Sequence, residues 1–506
     1  MVDTVIAFLP LMDMDTTRPP LAPALLKGIL EEAGIECKTY DFNAHYHQAI
    51  TGTDFEKISA SIYSPELKLD LHLFEVYHKF ISHCVDTILE NKPSNVLLSV
   101  FTHQSTRVTE DICYQLRMQA PNVYILLGGS GVSIRLEQYN NEWCNIVLEN
   151  QLCDAVLLGE AEDVIVDLVK NKPVGIQKTT QLPNDILNDL PAPNFDDYDF
   201  DHYGGVNQII IPVTASKGCV RKCSFCDIAR FWPKFRYRRG ENVANELITI
   251  YNKYGIKNFT FTDSLINGAL KPLREMNTVL SETIADTIQY RGQAICRSQK
   301  DMPPRDFELM RSGGCERINI GIESGSESVR DHMKKMYTND DIYYTAEQCL
   351  KNNIKQIWNI ISGYPTETDK DWEDTINLVK RYADHSDMIK IMPNGVFQML
   401  QGTPITTDRM LNELQIDYHS VDGYKEYHWV SVLYPNNTLK VRAERYFELV
   451  ELLLELDMLE ERPQKIKQKI EILKNQVEYF NAREQNSNLI PIQQQLPDES
   501  DRFFEV

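Results

Sequence analysis

The feature that most constrains the fold of this 506-residue chain is an alternation of short apolar runs with stretches of helical spacing. In the N-terminal part, VIAFLP (5–10), NVLLSVF (95–101) and VYILLGG (123–129) are continuous apolar runs. Strands of this kind are typical of parallel sheets, which helices cover on both faces. The pattern predicts a doubly wound, Rossmann-like sheet. Residues 51–92 interrupt it with a helical insertion.

The alternation restarts after NDLPAPNFDDYDFDHYGG (188–205), whose proline and aspartate content is typical of a linker. Six further runs are predicted as strands: QIIIPVTA, NFTFTD, QAIC, RINIGIE, QIWNIISG and MIKIMP. With their intervening helices they indicate a second α/β unit, in the size range of a full or partial barrel.

The C-terminal part has helical spacing, and one apolar seam is interpreted as core packing. The seam comprises Ile466, Ile470, Leu473, Val477 and Phe480. We therefore predict an α/β protein with four regions. They are a Rossmann-like domain (1–175), a linker (176–205), a partial (β/α) barrel (206–405) and a helical C-terminal domain with an extended tail (406–506).

The composition limits the classes of partner and the cellular compartment that are expected for this chain. The net charge of −21 disfavours a nucleic-acid partner, because such binding depends on Lys and Arg neutralising phosphates. One basic and aromatic segment, FWPKFRYRRG (231–240), matches either a base-stacking platform or, as we favour, a solvated loop or a strut beside the neighbouring cysteines. We expect no signal peptide and no membrane span, and the scattered remaining cysteines favour the reducing cytoplasm.

Three cysteines lie close together in SKGCVRKCSFCDIA, at Cys219, Cys223 and Cys226. A structural zinc site uses four protein ligands, and the sequence offers no second Cys or His pair to complete one. An iron-sulfur cube held by three cysteines instead leaves one iron open to a small molecule. The three thiolates are therefore predicted to hold such a cluster.

The spacing CxxxCxxC, with an aromatic residue before the third cysteine, resembles the signature of the radical S-adenosylmethionine (SAM) superfamily. GCERINIGIESGSESVRDHMKK (314–335) and ISGYPTETDKDWEDT (361–375) are similar to the family's fourth- and fifth-strand segments. The resemblance implies a [4Fe-4S] cluster on Cys219, Cys223 and Cys226, with SAM on its open iron. It further implies SAM contacts at Phe225, Asp263, Arg297, Glu323, Ser324 and Gly363.

The N-terminal half resembles the subgroup of radical SAM enzymes that carry a cobalamin-binding domain. That subgroup has GG after its fourth strand and GE-x-E after its fifth, as here. The resemblance implies cobalamin contacts at Gly128, Gly129, Ser130, Gly159 and Glu160. The D-x-H-x-x-G motif of mutase-type cobalamin domains is missing, and His72 in DLHLFE is interpreted as a residue on a helix surface.

The function implied is reductive cleavage of SAM to a 5'-deoxyadenosyl radical that abstracts hydrogen from a substrate, with cobalamin supporting methyl transfer to an unactivated carbon. Cobalamin-independent rearrangement, cyclisation or oxidation is the alternative. A methylthiotransferase, which would need three further cluster cysteines, and a non-catalytic iron-sulfur protein are less favoured. The predicted partners are a small-molecule or peptide substrate and an electron donor such as flavodoxin or ferredoxin.

Overall fold

The computed structural model describes residues 2–10, 17–63, 69–132, 142–417, 429–461 and 463–485. These residues form two compact units. The first comprises the described residues up to Val213 together with 245–259, and the second comprises 214–244 and the described residues from Thr260 onward.

The first unit is built on a six-stranded sheet in the order β2-β1-β3-β4-β5-β6. All five neighbouring pairs are parallel. The strands are β1 (Thr4–Phe8), β2 (Cys37–Asp41), β3 (Asn95–Ser99), β4 (Tyr124–Gly128), β5 (Ala155–Leu158) and β6 (Gly175–Lys178). The order reverses between β1 and β3, which makes their carboxyl ends the topological switch point of this sheet.

Both faces of the first sheet are buried, as a doubly wound fold requires. Successive residues of β1 belong to different cores: Val5 and Ala7 face one, and Ile6 faces the other. The helical insertion contributes two helices, Gly52–Tyr63 and Leu71–Glu90. The second buries Tyr77, Phe80 and Cys84 in the same core as Val5, so it covers one face of the sheet.

The second large sheet has six strands in the order β14-β13-β12-β11-β10-β7. They are β7 (Ile210–Val213), β10 (Asn258–Phe261), β11 (Gln289–Ala294), β12 (Cys315–Glu323), β13 (Lys355–Ser362) and β14 (Ile389–Val396). The registers from β11 to β14 are parallel. The sheet is an open run of strands, so the barrel is partial, as predicted.

Two small ribbons accompany these sheets. β8 (Ser216–Lys217) pairs antiparallel with β9 (Arg236–Tyr237), and β15 (Ile416–Asp417) pairs antiparallel with β16 (Val430–Ser431). The remaining helices of eight or more residues are Leu21–Glu32, Phe42–Ala49, Thr106–Gln119, Glu142–Glu149, Gly240–Tyr254, Leu270–Thr283, Pro304–Ser312, Asn339–Lys351, Asp369–Arg381, Leu439–Glu455 and Pro463–Gln485. Shorter helices are Ile165–Asn171, Asn184–Asp189, Ile228–Phe231, Glu327–His332 and Asp408–Glu413.

The last two helices cover part of the second unit. Ile466 and Leu473 are buried beside Tyr446, and Ile470 and Val477 pack against the same cluster, so core packing is confirmed for this part of the seam. The side chain of the seam's fifth member, Phe480, and the predicted tail lie outside the described residues. None of the described helices combines the length and apolarity that a bilayer-spanning segment needs. The predicted α/β fold class is confirmed.

Candidate active site

The cysteine loop follows β7 and the short β8, at the carboxyl edge of the second sheet. Cys223 is buried, and Cys219 and Cys226 are half-buried. Burial raises the pKa of all three thiols, that of Cys226 to about 12, while the nearby Lys335 ammonium acts to lower the pKa of Cys219 and Cys223. Such thiols ionise when metal ions supply positive charge, so the loop fits an iron-sulfur cluster.

Among the described residues, no three His, Cys, Asp or Glu side chains converge as ligands of one metal ion. The three cysteines of a cubane cluster each bind a different iron, so they need not converge in that way. Cys37, Cys84 and Cys113, whose spacing does not match the three further cluster cysteines of a methylthiotransferase, are buried in hydrophobic cores of the first unit.

The loop is supported on one side by the basic and aromatic segment. Gly218 has φ of 84°, and a Cβ there would lie 2.7 Å from the carbonyl oxygen of Lys234, so only glycine fits. The cations of Lys217 and Arg236 lie 5.5 and 5.4 Å from the ring centre of Trp232. The segment is thus a strut beside the cysteines, as favoured from the sequence.

Ser224 fixes the other side of the loop. Its amide donates to the carbonyl of Met333 at 3.0 Å, and its carbonyl accepts from the amide of Ile405 at 2.8 Å. Its hydroxyl lies 2.8 Å from that of Tyr364, which also lies 2.8 Å from Nδ1 of His332. The cysteines are therefore held by the residues that follow β12, β13 and β14.

Glu323, the last residue of β12, has a strained φ of 66° and is 7% exposed. Its Oε1 accepts from Nζ of Lys335 at 3.0 Å, and its buried Oε2 has no hydrogen-bond partner among the described residues. Burial acts to lower the pKa of Lys335, but Glu323, Tyr337 and Cys223 together outweigh it and raise the pKa above its ordinary value. Lys335 also lies 5.8 Å from the ring centre of Phe225, beside the cysteines.

Ser324 is fully buried in the turn that follows β12. Its hydroxyl lies 3.3 Å from that of Thr375 and accepts from the amide of Ser326 at 3.1 Å. Its carbonyl accepts from the buried guanidinium of Arg330 at 2.5 Å. Ser324 therefore stabilises the strand-end turn, and its predicted contact with SAM stays a prediction.

Asp263 and Arg297 follow β10 and β11 at the same edge. Oδ2 of Asp263 accepts from the amide of Ala215 at 2.9 Å, whereas the buried Oδ1 has no partner among the described residues. Burial raises the pKa of Asp263 to about 7. Arg297 donates to the carbonyls of Asn267 and Gly268 at 2.8 and 3.0 Å, and burial and then the neighbouring Arg221 lower its pKa.

Gly363, directly after β13, has φ of 80°, and a Cβ there would collide with the side chain of Arg442. Its amide donates to Oε1 of Glu367 at 2.9 Å, and Nη1 of Arg445 donates to the same oxygen at 2.8 Å. Burial raises the pKa of Glu367 to about 7, against the opposing effect of Arg445. The side-chain amide of Asn437 donates to the carbonyl of Tyr364, the residue after Gly363, at 2.8 Å. The C-terminal region thus shapes the Gly363 turn.

The five residues predicted to contact cobalamin lie at the carboxyl edge of the first sheet, after β4 and β5. Gly129 has φ of 112°, and a Cβ would lie 2.5 Å from the carbonyl oxygen of Val100; Gly128 ends the strand before it. Gly159 has φ of 105° and abuts Thr179. Packing between neighbouring chain segments therefore explains both positive-φ glycines.

The polar members of that set are partly engaged. Ser130 is exposed and its hydroxyl donates to the carbonyl of Phe101, while Oε2 of the buried Glu160 accepts from the amide of Leu182 at 2.5 Å. His72 is exposed on the helix Leu71–Glu90, with Nε2 3.3 Å from Oδ2 of Asp54, as expected for a helix surface.

The sequence analysis missed Lys335, Arg442 and Arg445. Lys335 is brought to the cysteines by a turn in which Lys334 and Met336 both have positive φ. Neither lysine nor methionine favours that conformation, so the sequence does not predict the turn. A signal for Arg442 existed, because it lies on the apolar stripe that Leu439 and Tyr446 define on its helix. A buried arginine on such a stripe indicates that its guanidinium interacts with another group in the protein interior.

Residues 213–379 match the family model of the Radical SAM superfamily. This part of the chain therefore carries a radical SAM domain. That family uses a [4Fe-4S] cluster and SAM.

The fold is similar to that of two solved cobalamin-dependent radical SAM enzymes. The chain is similar to the methyltransferase TsrM from Kitasatospora setae, solved with cobalamin and a [4Fe-4S] cluster (14% identity, 84% of this chain and 82% of that one, TM-score 0.57). It is also similar to the cobalamin-dependent enzyme OxsB, solved with aqua-cobalamin (13% identity, 94% and 71%, TM-score 0.63).

Curated relatives match over shorter stretches. An anaerobic magnesium-protoporphyrin IX monomethyl ester cyclase of Synechocystis is 22% identical over 53% of this chain and 55% of its own length. A tRNA-2-methylthio-N(6)-dimethylallyladenosine synthase of Clostridium botulinum is 26% identical over 47% of this chain and 50% of its own. The chain thus spans about half the length of these relatives.

Proposed function

We propose that this chain binds a [4Fe-4S] cluster through Cys219, Cys223 and Cys226, cleaves SAM reductively at its open iron, and uses the resulting 5'-deoxyadenosyl radical to abstract hydrogen from a substrate. The observation that carries the proposal is the grouping of charge around the cysteines. The Lys335 ammonium acts to lower the pKa of both the Cys219 and the Cys223 thiols, and the Glu323 carboxylate acts to raise the pKa of Cys223.

The carboxyl edge of the second sheet supports this assignment because it offers buried polar atoms without protein partners. Among the described residues these include Oδ1 of Asp263, Oε2 of Glu323 and Nε of both Arg221 and Arg297. A buried polar atom left unpaired costs on the order of 1–3 kcal/mol. A zwitterionic ligand such as the methionyl part of SAM, with its amino and carboxylate groups, would satisfy both kinds of atom.

Each of these residues then has a role toward SAM. Asp263 and Glu323 are the acceptors for the amino group and the ribose hydroxyls, and Arg297 is the cation for the carboxylate. The Lys335 ammonium holds Glu323 in place and offsets the negative charge of the cysteine thiolates. The Gly363 turn brings backbone close to the ligand, and Phe225 supplies an apolar wall.

We further propose that the first unit binds cobalamin and that the reaction is methyl transfer to an unactivated carbon. Cobalamin, when bound, supplies the methyl group. Two observations support this: the fold shared with TsrM and OxsB, and the exposed backbone of Gly129 and Ser130 beyond β4, at the carboxyl edge and one strand from the β1/β3 switch point at which open α/β sheets bind ligands. The cobalamin-independent reactions are the alternative.

The test is anaerobic expression with cobalamin supplied, followed by cluster reconstitution, dithionite reduction and quantification of 5'-deoxyadenosine and bound cobalamin. We expect SAM cleavage and about one cobalamin per chain. The variant Cys223→Ala should lose cleavage, and the matched control Cys349→Ala, which removes a buried thiol on the helix Asn339–Lys351, should keep it. Cleavage without cobalamin would support the alternative, and a cluster without cleavage would refute the proposal.

A further inference from the structure

A row of three hydrogen-bonded side chains leads from the surface of the second unit to the cysteine loop. His332 is half-buried at the end of a short helix, and its Nδ1 lies 2.8 Å from the hydroxyl of Tyr364. That hydroxyl lies 2.8 Å from Oγ of Ser224, which is fully buried and directly follows Cys223 in the sequence. We call these three side chains the imidazole relay. The function proposed above assigns no role to it.

The middle of the relay is excluded from solvent. The side chain of Tyr364 is fully buried, and its ring centre lies 5.0 Å from that of Phe397. Phe397 packs in turn on the buried ring of Trp429, at 6.0 Å. Hydrogen bonds are stronger in such apolar surroundings than in water, and an unpaired hydroxyl there is costly. A change of charge at His332 is therefore transmitted to Ser224 through the Tyr364 hydroxyl.

The relay has two ordered states, which differ in the direction of its hydrogen bonds. When Nδ1 of His332 carries no proton, it accepts from the hydroxyl of Tyr364, whose oxygen accepts from the hydroxyl of Ser224. A doubly protonated imidazole can only donate, so the Tyr364 hydroxyl then turns and donates to Ser224. The hydroxyl hydrogen of Ser224 is thereby freed for another acceptor beside the cysteines.

The surroundings of His332 favour its neutral form. Burial lowers the pKa of the imidazole, and Lys334 in the turn that follows acts in the same direction. Glu413, on the helix Asp408–Glu413, acts to raise the pKa but does not offset burial. The ring of Tyr364 contacts the imidazole edge-on, with 5.5 Å between centres. His332 is therefore mostly neutral at neutral pH, and a new negative charge nearby would favour its protonation.

We propose that His332 is a positioning residue that couples reduction of the cluster to the uptake of one proton, acting through Tyr364 and Ser224. The inference rests on the function proposed above. Reduction brings one electron from a low-potential one-electron reductant, and His332 takes up one proton from solvent, so the net charge of the site is unchanged. The reversed relay frees the hydroxyl of Ser224 to donate to sulfur, and hydrogen bonds to the sulfurs are one determinant of the potential of such clusters.

The experiment measures the midpoint potential of the reconstituted full-length chain without SAM, from about pH 5.5 to about pH 8, by redox titration with electron paramagnetic resonance detection. The wild type is compared with His332→Gln, whose amide can keep a hydrogen bond to Tyr364 but takes up no proton. Tyr364→Phe keeps the ring and removes the hydroxyl. The matched control is His385→Gln, at an exposed histidine that precedes β14 and so lies at the amino edge of the sheet.

We expect the equilibrium constant for reduction of the wild type to fall by about tenfold as the pH rises over this range, which corresponds to a potential lower by about 59 mV. His332→Gln should lose most of this dependence, because its side chain cannot become charged. Tyr364→Phe should weaken it, because the hydrogen bonds to Ser224 are interrupted. His385→Gln should retain it in full.

A wild-type potential that does not change with pH, or a dependence that His332→Gln retains, would overturn the proposal. The half-buried site of His332 should tolerate an amide, so this variant decides the outcome even if iron analysis shows that Tyr364→Phe loses the cluster. SAM cleavage with dithionite at one fixed pH is measured on the same samples. Its absence in the wild type would refute the proposed function, whereas cleavage with a pH-independent potential counts against the relay alone.

Discussion

The carboxyl edges of the two large sheets differ in what they leave unsatisfied. Beyond β4 and β5, the glycines are explained by close packing against Val100 and Thr179, and the carboxylate of Glu160 is engaged with a backbone amide. Beyond β10 and β12, buried atoms of Asp263 and Glu323 have no partners among the described residues. At these positions the second edge offers unpaired polar atoms to a ligand, whereas the first is explained by packing and by an engaged carboxylate.

The largest expected effect is a loss of the cluster at the second edge with no change in ligand binding at the first. Cys226→Ala removes one of three cluster ligands, so reconstituted iron should fall well below about four per chain and SAM cleavage should drop below detection. The amount of cobalamin, which we propose binds the first unit, should be unchanged. Iron analysis and cobalamin absorbance on the same sample check this, and loss of both cofactors together would show that the edges are not independent.

The next effect concerns the support of the second edge. Arg445→Met leaves the buried carboxylate of Glu367 without its cation, which should lower the free energy of unfolding by about 3–5 kcal/mol. Urea unfolding measures it. The double variant Glu367→Gln/Arg445→Met should recover part of the loss, because the unpaired Glu367 carboxylate is removed while the buried Arg442 keeps its contact with the Trp429 ring; a double variant as unstable as the single one would contradict this account of the Gly363 turn.

A smaller effect is expected at the ligand itself. Glu323→Gln removes a carboxylate that we assign to SAM, and it also leaves Lys335 unpaired, so the dissociation constant for SAM should rise by about 10-fold or more, equivalent to about 1.4 kcal/mol. Anaerobic calorimetry checks it. Glu327→Gln, at a partly exposed carboxylate on the next helix, is the matched control and should bind SAM as the wild type does.

SAM affinity should also depend on pH through Asp263. Its pKa is raised to about 7, so the carboxyl is largely protonated at pH 6 and ionised at pH 8. Only the ionised form accepts hydrogen bonds from the amino group with both oxygens, and affinity should therefore rise with pH, by up to about tenfold across this range. Comparison with Asp263→Asn isolates the contribution; equal pH profiles for the two proteins would exclude Asp263 as the acceptor.

The smallest effect belongs to the first edge. Ser130→Ala removes a hydroxyl that already donates to the carbonyl of Phe101, so cobalamin retention should change by less than about twofold, within the range of a single exposed hydrogen bond. Equilibrium dialysis measures it. A large loss would mean that this edge recognises its ligand through side-chain chemistry after all, and the contrast between the two edges would disappear.

The sequence predicted those parts of the molecule that depend on local pattern. Continuous apolar runs marked β1, β3 and β4 of the first sheet and most strands of the second, whereas β6 (GIQK) carries no such signal and was not predicted. The spacing of Cys219, Cys223 and Cys226 marked the loop. Glu323 was found because it stands in a recognisable strand-end segment. Its partner Lys335, twelve residues later, was not found, since its position depends on a left-handed turn and on tertiary packing.

Contacts between distant segments account for the other omissions. Arg442 and Arg445 reach the Gly363 turn from a helix nearly 80 residues further along the chain. Local periodicity cannot predict contacts between residues so far apart in sequence. The role of the glycines was also ambiguous in sequence. Gly129 could have been required by a ligand or by a neighbouring strand, and only the proximity of Val100 shows that packing suffices.

The central claim is that SAM binds the open iron of a three-cysteine cluster. Electron paramagnetic resonance of the dithionite-reduced protein, recorded with and without SAM, tests it most directly. The account predicts a reduced [4Fe-4S] signal whose g values shift when SAM is added, because the ligand changes the environment of one iron. An identical signal in both samples, at SAM concentrations that saturate calorimetric binding, would contradict it.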